Sequence, residues 1–133
     1  VLEIGTGSGY QAWVLDECGA RVFSIERFKT LHHKTTKFLK QLGYDRIKTF
    51  FGDGYQGLPT FAPFDKVIVT AAAPYIPAQL KEQLKINGIL CIPVDNEDGS
   101  QTMHKITRVS ETAFSTEIFE DFRFVPMLKG RNF

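Results

Sequence analysis

Glu3-Ile4-Gly5-Thr6-Gly7-Ser8-Gly9 lies where a short apolar run gives way to a helical pattern. Glycines at such a junction let the backbone turn tightly and approach a ligand that a Cβ would exclude. The spacing is G-x-G-x-G, whereas the dinucleotide fingerprint is G-x-G-x-x-G and aims a helix N-terminus at a pyrophosphate. Taken alone, the cluster also fits a plain tight turn between strand and helix. Glu26 ends the next apolar run, where an acid can accept hydrogen bonds from both hydroxyls of a ribose. Asp53, followed by Gly54, ends the third, where a carboxylate can receive the exocyclic amine of an adenine. Either acid alone is ordinary surface decoration. Together, at the carboxyl ends of successive strands beside a glycine loop, they describe a nucleoside site.

Other chemistries lack their residues. His32 and His33 are adjacent on a helical stretch, point in different directions and cannot share a metal in the i, i+4 manner, so no metal site is expected. His104 falls in an expected hairpin, and no Ser-His-Asp set is evident. Cys18 and Cys91 are too sparse for a disulfide framework and read as buried thiols in a reducing compartment. Trp13 and the phenylalanines read as core, and Tyr10 as either a cover over the ligand or packing.

The elements that must position these residues alternate strand with helix, which favours a mostly parallel sheet with helices on both faces. Strands are expected at residues 1–4, 21–25, 47–51, 66–70 and 89–94. A helix carrying Ala12, Val14, Leu15 and Cys18 closes at Gly19. A second spans residues 29–42, with Leu31, Phe38, Leu39 and Leu42 as its buried stripe and Lys29, Lys34, Lys37 and Lys40 as its wet face. A third starts at Pro77 and runs to about residue 84, after which Asn87-Gly88 turns the chain into the fifth strand. Residues 102–109 and 114–125 then form an antiparallel hairpin with no helix between them.

The 133 residues suffice for one domain, 1–133. A formal charge of +1 gives no long-range attraction to nucleic acid or an anionic membrane, and no apolar run approaches bilayer length. The chain opens at Val1 directly on a core strand, so a preceding segment is expected to be missing.

Val1-Leu2-Glu3-Ile4-Gly5-Thr6-Gly7-Ser8-Gly9-Tyr10-Gln11 resembles the first motif of the protein-L-isoaspartate O-methyltransferases. Phe51-Gly52-Asp53-Gly54-Tyr55, Phe64-Asp65-Lys66-Val67-Ile68-Val69-Thr70-Ala71-Ala72-Ala73-Pro74 and Arg123-Phe124-Val125-Pro126-Met127 resemble later motifs of the same family, in matching order. The resemblance implies a Rossmann-like class I methyltransferase fold. It also implies methyl transfer from S-adenosylmethionine to the free carboxylate of L-isoaspartyl residues in damaged proteins and peptides, by a cytoplasmic monomer. The ester so formed collapses to a succinimide, whose hydrolysis can restore a normal aspartyl link.

By the same resemblance, Glu3, Gly5, Thr6, Gly7, Ser8 and Gly9 flank the methionine portion of the cofactor. Glu26 takes the ribose, and Asp53 with Gly54 the adenine. Thr70, Ala71 and Ala72 border the methyl-transfer cleft, Thr70 being the one candidate catalytic side chain. Phe124, Val125 and Pro126 lie beside the bound peptide. Two departures stand out. The family has a Thr-Ile-Ser-type stretch ahead of the first motif that nothing here matches. It also commonly has Pro-Val-Gly where this chain has Pro93-Val94-Asp95, so Asp95 is expected to narrow the peptide cleft or to place a negative charge near an anionic substrate.

The residue chemistry suits that reaction. A carboxylate is ionised at neutral pH and needs no general base to act as a nucleophile. A sulfonium is already activated, so the protein has mainly to align the reacting atoms. Thr70-Ala71-Ala72-Ala73-Pro74 lacks the Asn/Asp-Pro-Pro-aromatic signature of many amine methyltransferases, which favours a carboxyl acceptor. Two other readings fit the cofactor motifs: a class I methyltransferase for a small-molecule acid or hydroxyl, and a cofactor-binding module without catalysis.

Overall fold

The computed structural model describes residues 1–122 and 124–133. Arg123, the first residue of the last motif, lies outside the described residues. Among those described, the sheet contains β1 (Leu2–Ile4), β2 (Phe23–Glu26), β3 (Lys48–Phe51), β4 (Phe64–Val69), β5 (Leu84–Asp95), β6 (Gln101–Arg108) and β7 (Phe114–Phe122). The helices are α1 (Tyr10–Glu17), α2 (Lys29–Gln41) and α3 (Ala78–Glu82). Strand order is β3-β2-β1-β4-β5-β6-β7, parallel from β3 to β5 and antiparallel through β6 and β7. The strand–helix rhythm led us to expect this mostly parallel sheet with a terminal antiparallel hairpin, and the family resemblance its Rossmann-like class.

Alternation along β1 divides the sheet's two faces. Leu2 and Ile4 join Ile25, Val67, Val69 and Leu80 in the main apolar cluster, on the side of α3. Glu3 and Ser24 point the other way, towards the smaller cluster of Ala12, Val22, Leu39 and Ile47 that seats α1 and α2. The chain leaves β1 outward to β2 and β3, then returns to β4 on the opposite side of β1. The carboxyl end of β1 is therefore a topological switch point, where open α/β sheets form their ligand crevice.

Several expectations are corrected. Asn87-Gly88 does not end a helix and begin a strand; it lies inside β5. Leu84 pairs with Phe64 and Ile89 with Lys66, so five steps on β5 oppose two on β4, and Asn87 at φ 69 takes up the excess. The final strand stops at Phe122 rather than residue 125, because Val125 and Met127 bond to Ala72 instead. The buried positions of α2 are Thr35 and Leu39, while Phe38 and Leu42 are both about half exposed. Trp13 is not core: it is 40% exposed, with its indole N–H directed to the Tyr44 hydroxyl at 2.6 Å. Cys18 is exposed, and only Cys91 is partly covered, where burial pushes its thiol pKa up.

Leu90 has no exposed surface at the centre of the main cluster. We expect Leu90→Ala to lower unfolding stability by about 2–5 kcal/mol in urea titration, the range for a buried leucine that leaves a cavity. A loss below roughly 1 kcal/mol would contradict this placement of the core.

Candidate functional site

The glycine loop is held from behind by buried polar groups. Glu3 is fully buried; its Oε1 accepts from Ser24 Oγ at 2.5 Å and its Oε2 from Gln11 Nε2 at 3.0 Å. Thr6 Oγ1 lies 2.6 Å from Ser24 Oγ, completing a chain across β1, β2 and the loop. Burial pushes the Glu3 carboxyl above the ordinary carboxylate value; the hydrogen bonds from Ser24 and Gln11 act the other way, and neighbouring Glu26 adds to the rise. Both oxygens of Glu3 thus face protein donors.

Glu26 plays the corresponding part at the front. Its Oε1 accepts from Gly7 N and its Oε2 from Phe28 N, both at 3.0 Å, tying the loop to the end of β2. Thr35 of α2 donates to the Gly7 carbonyl at 2.6 Å. Gly5 needs its missing side chain: it sits at φ +99, and a Cβ there would fall 2.5 Å from Thr70 Oγ1. That hydroxyl is directed at the carbonyls of Ile4 and Gly5, at 2.9 and 3.1 Å.

In front of the loop lies a cleft whose polar floor is Gly5, Gly7 and Glu26 and whose walls are mostly apolar. Ile4, Ile25 and Leu31 form one side, and Thr70 and Ala71 border it at the end of β4. The remaining wall is the C-terminal segment, residues 125–128, which crosses the strand ends. Ala72 N donates to Val125 O, and Met127 N to Ala72 O, both at 2.6 Å. Further on, Asn132 N donates to Arg27 O at 2.7 Å and Lys29 N to Asn132 O at 2.9 Å. The segment therefore spans from the end of β4 to the end of β2.

Of the residues singled out in the sequence, Gly5, Gly7, Glu26, Gly54, Thr70, Ala71, Val125 and Pro126 line this one cleft. Glu3, Thr6 and Gly9 stand behind it as supports. Ser8 opens onto a neighbouring cavity with Leu31, Lys34, Thr35 and Phe38. Ala72 is buried beneath the crossing segment. Phe124 is half-buried, and its amide donates to Gln101 Oε1 at 2.8 Å. Asp53 is not brought into the cleft: it caps a 3-10 turn by accepting from Tyr55 N at 3.0 Å, and it faces a separate cavity beside Gly130, Arg131 and Phe133. Sequence reading missed Leu31, Phe28 and Leu128 as walls and Thr35 as a loop support. The spacing of Leu31 and Thr35, four apart on one helix face, was the available signal.

The family model described as protein-L-isoaspartate(D-aspartate) O-methyltransferase matches residues 1–132. The chain belongs to this family. It is 52% identical over 132 residues to the protein-L-isoaspartate O-methyltransferase of Christiangramia forsetii, covering 99% of this chain and 61% of that relative. With the enzyme of the same name from Flavobacterium psychrophilum it shares 54% over 132 residues, again 99% and 61% of the two lengths. The chain thus spans about three fifths of the length of these curated relatives. Among solved structures, a protein-L-isoaspartate O-methyltransferase superposes with a TM-score of 0.87 at 26% identity, over 94% of this chain and 40% of that one. A Plasmodium falciparum chain, described as a beta-aspartate methyltransferase in complex with S-adenosyl-L-homocysteine, gives a TM-score of 0.77 at 28% identity, over 96% and 65%.

The raised Glu3 carboxyl has a sign that can be checked. The folded state holds its proton more tightly than the unfolded chain, so the associated stability is full below the ordinary carboxylate range and is lost as pH rises through the raised value. Relative to Glu3→Gln, the native chain should therefore lose stability as pH rises above the ordinary carboxylate range. Urea titrations of both proteins from that range upward measure it, and a relative gain with rising pH would show that Glu3 is not penalised by burial.

Proposed function

We propose that this chain binds S-adenosylmethionine at the carboxyl ends of β1, β2 and β4, and that it transfers the methyl group to the free carboxylate of L-isoaspartyl residues in proteins and peptides. The observation that carries this reading is the meeting of two segments over one cleft. Thr70 and Ala71 at the end of β4 and residues 125–127 of the crossing segment, joined through Ala72, line one cleft with Gly5, Gly7 and Glu26. Family membership supplies the reaction class, and the likeness to a chain solved with S-adenosyl-L-homocysteine supports the cofactor.

The residues present fit that cofactor. Gly5 and Gly7 leave room for close approach, we assign the Glu26 carboxylate of the same cleft to the ribose hydroxyls, and Phe28, Leu31 and Leu128 offer apolar contact for an adenine ring. Asp53 lines a separate cavity with Gly130, Arg131 and Phe133, so the adenine-amine role is not part of this proposal. The sulfonium supplies an activated methyl group, and the chain's own contribution is alignment and exclusion of water by apolar walls. Thr70 acts as a strut, since its hydroxyl proton is directed at main-chain carbonyls. We assign the chain to a reducing compartment, the cytoplasm, in keeping with two unpaired cysteines, and to action as a monomer on isoaspartyl-containing partners. No helix among the described residues is long and apolar enough to cross a membrane.

The test is transfer from labelled S-adenosylmethionine to an isoaspartyl peptide, with the matching aspartyl peptide as control and the Flavobacterium psychrophilum relative run alongside. Transfer to the isoaspartyl peptide alone supports the proposal. Binding of S-adenosylhomocysteine without transfer points to a cofactor-binding module, and transfer only to small acids points to a different acceptor. Glu26→Gln keeps the shape and removes the charge. We expect it to weaken S-adenosylhomocysteine binding by roughly tenfold to a hundredfold in calorimetry, as for a hydrogen bond to a charged group. Unchanged affinity would remove Glu26 from the ribose role.

A further inference from the structure

Gln101, the first residue of β6, has only 8% of its surface exposed and uses both ends of its amide. Oε1 accepts from Phe124 N at 2.8 Å. Nε2 donates to Asp95 Oδ1 at 3.2 Å and to the Gly99 carbonyl at 3.3 Å. Asp95 N in turn donates to Ala73 O at 2.8 Å, and Ala72 N donates to Val125 O at 2.6 Å. With the peptide links Ala72–Ala73 and Phe124–Val125, these bonds close a circuit: Ala73 to Asp95, Asp95 to Gln101, Gln101 to Phe124, and Val125 back to Ala72. Its members come from the stretch after β4, the end of β5, the start of β6 and the crossing segment.

We propose that Gln101 is a positioning residue for the acceptor side of the cleft, fixing residues 124–127 against Ala72 through its bonds to Phe124 and Asp95. The inference rests on the proposed methyl-transfer reading for its functional meaning, though the clamp itself does not. β7 departs from the sheet at this point. Gln101 pairs with Phe122 and Met103 with Phe119, so two steps on β6 oppose three on β7, the signature of a bulge that turns a strand away. Beyond Phe122, the Gln101 amide takes over from the ladder and holds the next described amide, that of Phe124. Val125 and Pro126, directly after it, line the cleft together with Ala71. Asp95 thereby gains a defined role, because its carboxylate is turned to Gln101 Nε2, where a glycine would offer no side-chain partner.

The test opposes charge and then relieves it. Gln101→Glu retains an acceptor for Phe124 N but sets a second carboxylate against Asp95. Adding Asp95→Asn restores a donor between the two side chains. Asp95→Ala, at an exposed position, removes the partner without disturbing the core. Amide hydrogen exchange over residues 124–128 should quicken about tenfold in Gln101→Glu and in Asp95→Ala. It should return near the native rate in the double variant, with exchange in β1 and β4 unchanged throughout. With an isoaspartyl peptide, KM should rise about tenfold in the single variants and recover in the double one, while S-adenosylhomocysteine affinity changes less. Native exchange in both single variants, or failure of Asp95→Asn to rescue Gln101→Glu, overturns the clamp. Altered exchange with unaltered KM in an active chain overturns the positioning role. A native chain that binds cofactor without methylating the peptide defeats the proposed function instead, and the exchange measurements still decide whether Gln101 holds the segment.

Discussion

The Glu3 carboxyl group, with no exposed surface, projects from β1 towards β2 and α1, and the geometry of the glycine loop depends on how it is satisfied. Burying Glu3 is costly unless its oxygens find donors, and those donors come from the three pieces that must meet here: Ser24 from β2, Gln11 from α1 and, through Ser24, Thr6 from the loop. An apolar residue at this position would pack the strands equally well. It would not specify where the loop turns or how α1 is rotated, which a polar network does when every member has a partner.

From that anchor the cleft follows by succession. With the loop fixed, Gly7 presents its amide to Glu26 and its carbonyl to Thr35, so α2 and the end of β2 are referenced to the same few atoms. Thr70 ties the end of β4 to Ile4 and Gly5. The crossing segment is then held at both ends by main-chain bonds, to Ala72 on one side and to Arg27 and Lys29 on the other. Gly130, at φ +75, lies between those attachments and supplies the backbone conformation the return requires. One wall of the cleft is therefore made by chain more than a hundred residues beyond the loop it faces.

Local patterns made the strand–helix alternation, the glycine loop and both strand-end acids legible in the sequence. Tertiary bonds were not legible, and the misreadings follow from them. The apolar periodicity of α2 named Phe38 and Leu42, yet the helix is rotated so that Thr35 reaches the Gly7 carbonyl and Leu39 alone of the expected stripe is fully buried. Asn87-Gly88 has the composition of a turn, but pairing with β4 on both sides of it absorbs the same conformation as an irregularity within one strand. Asp53 stands where the sequence put it, at the end of β3. It nevertheless lines a different cavity from Glu26, in company with Gly130, Arg131 and Phe133, a juxtaposition no local pattern reveals. Gln101 carried no motif at all; its significance lies in partners 6 and 23 residues away.

The polar groups of the cleft also bear on what kind of catalysis it can support. Glu3 is enclosed, Glu26 has both oxygens on main-chain amides, and the Thr70 hydroxyl is turned to main-chain carbonyls. A hydroxyl or amine acceptor calls for a group free to remove a proton, and these residues are committed to holding the backbone. An acceptor that arrives already ionised makes no such demand. Holding a carboxylate and a methyl donor in line requires rigid walls and close approach, and the glycine cradle facing a doubly anchored segment provides both. The groups that shape this site and the reaction proposed for it thus agree on one requirement, that atoms be held in place while protons stay where they are.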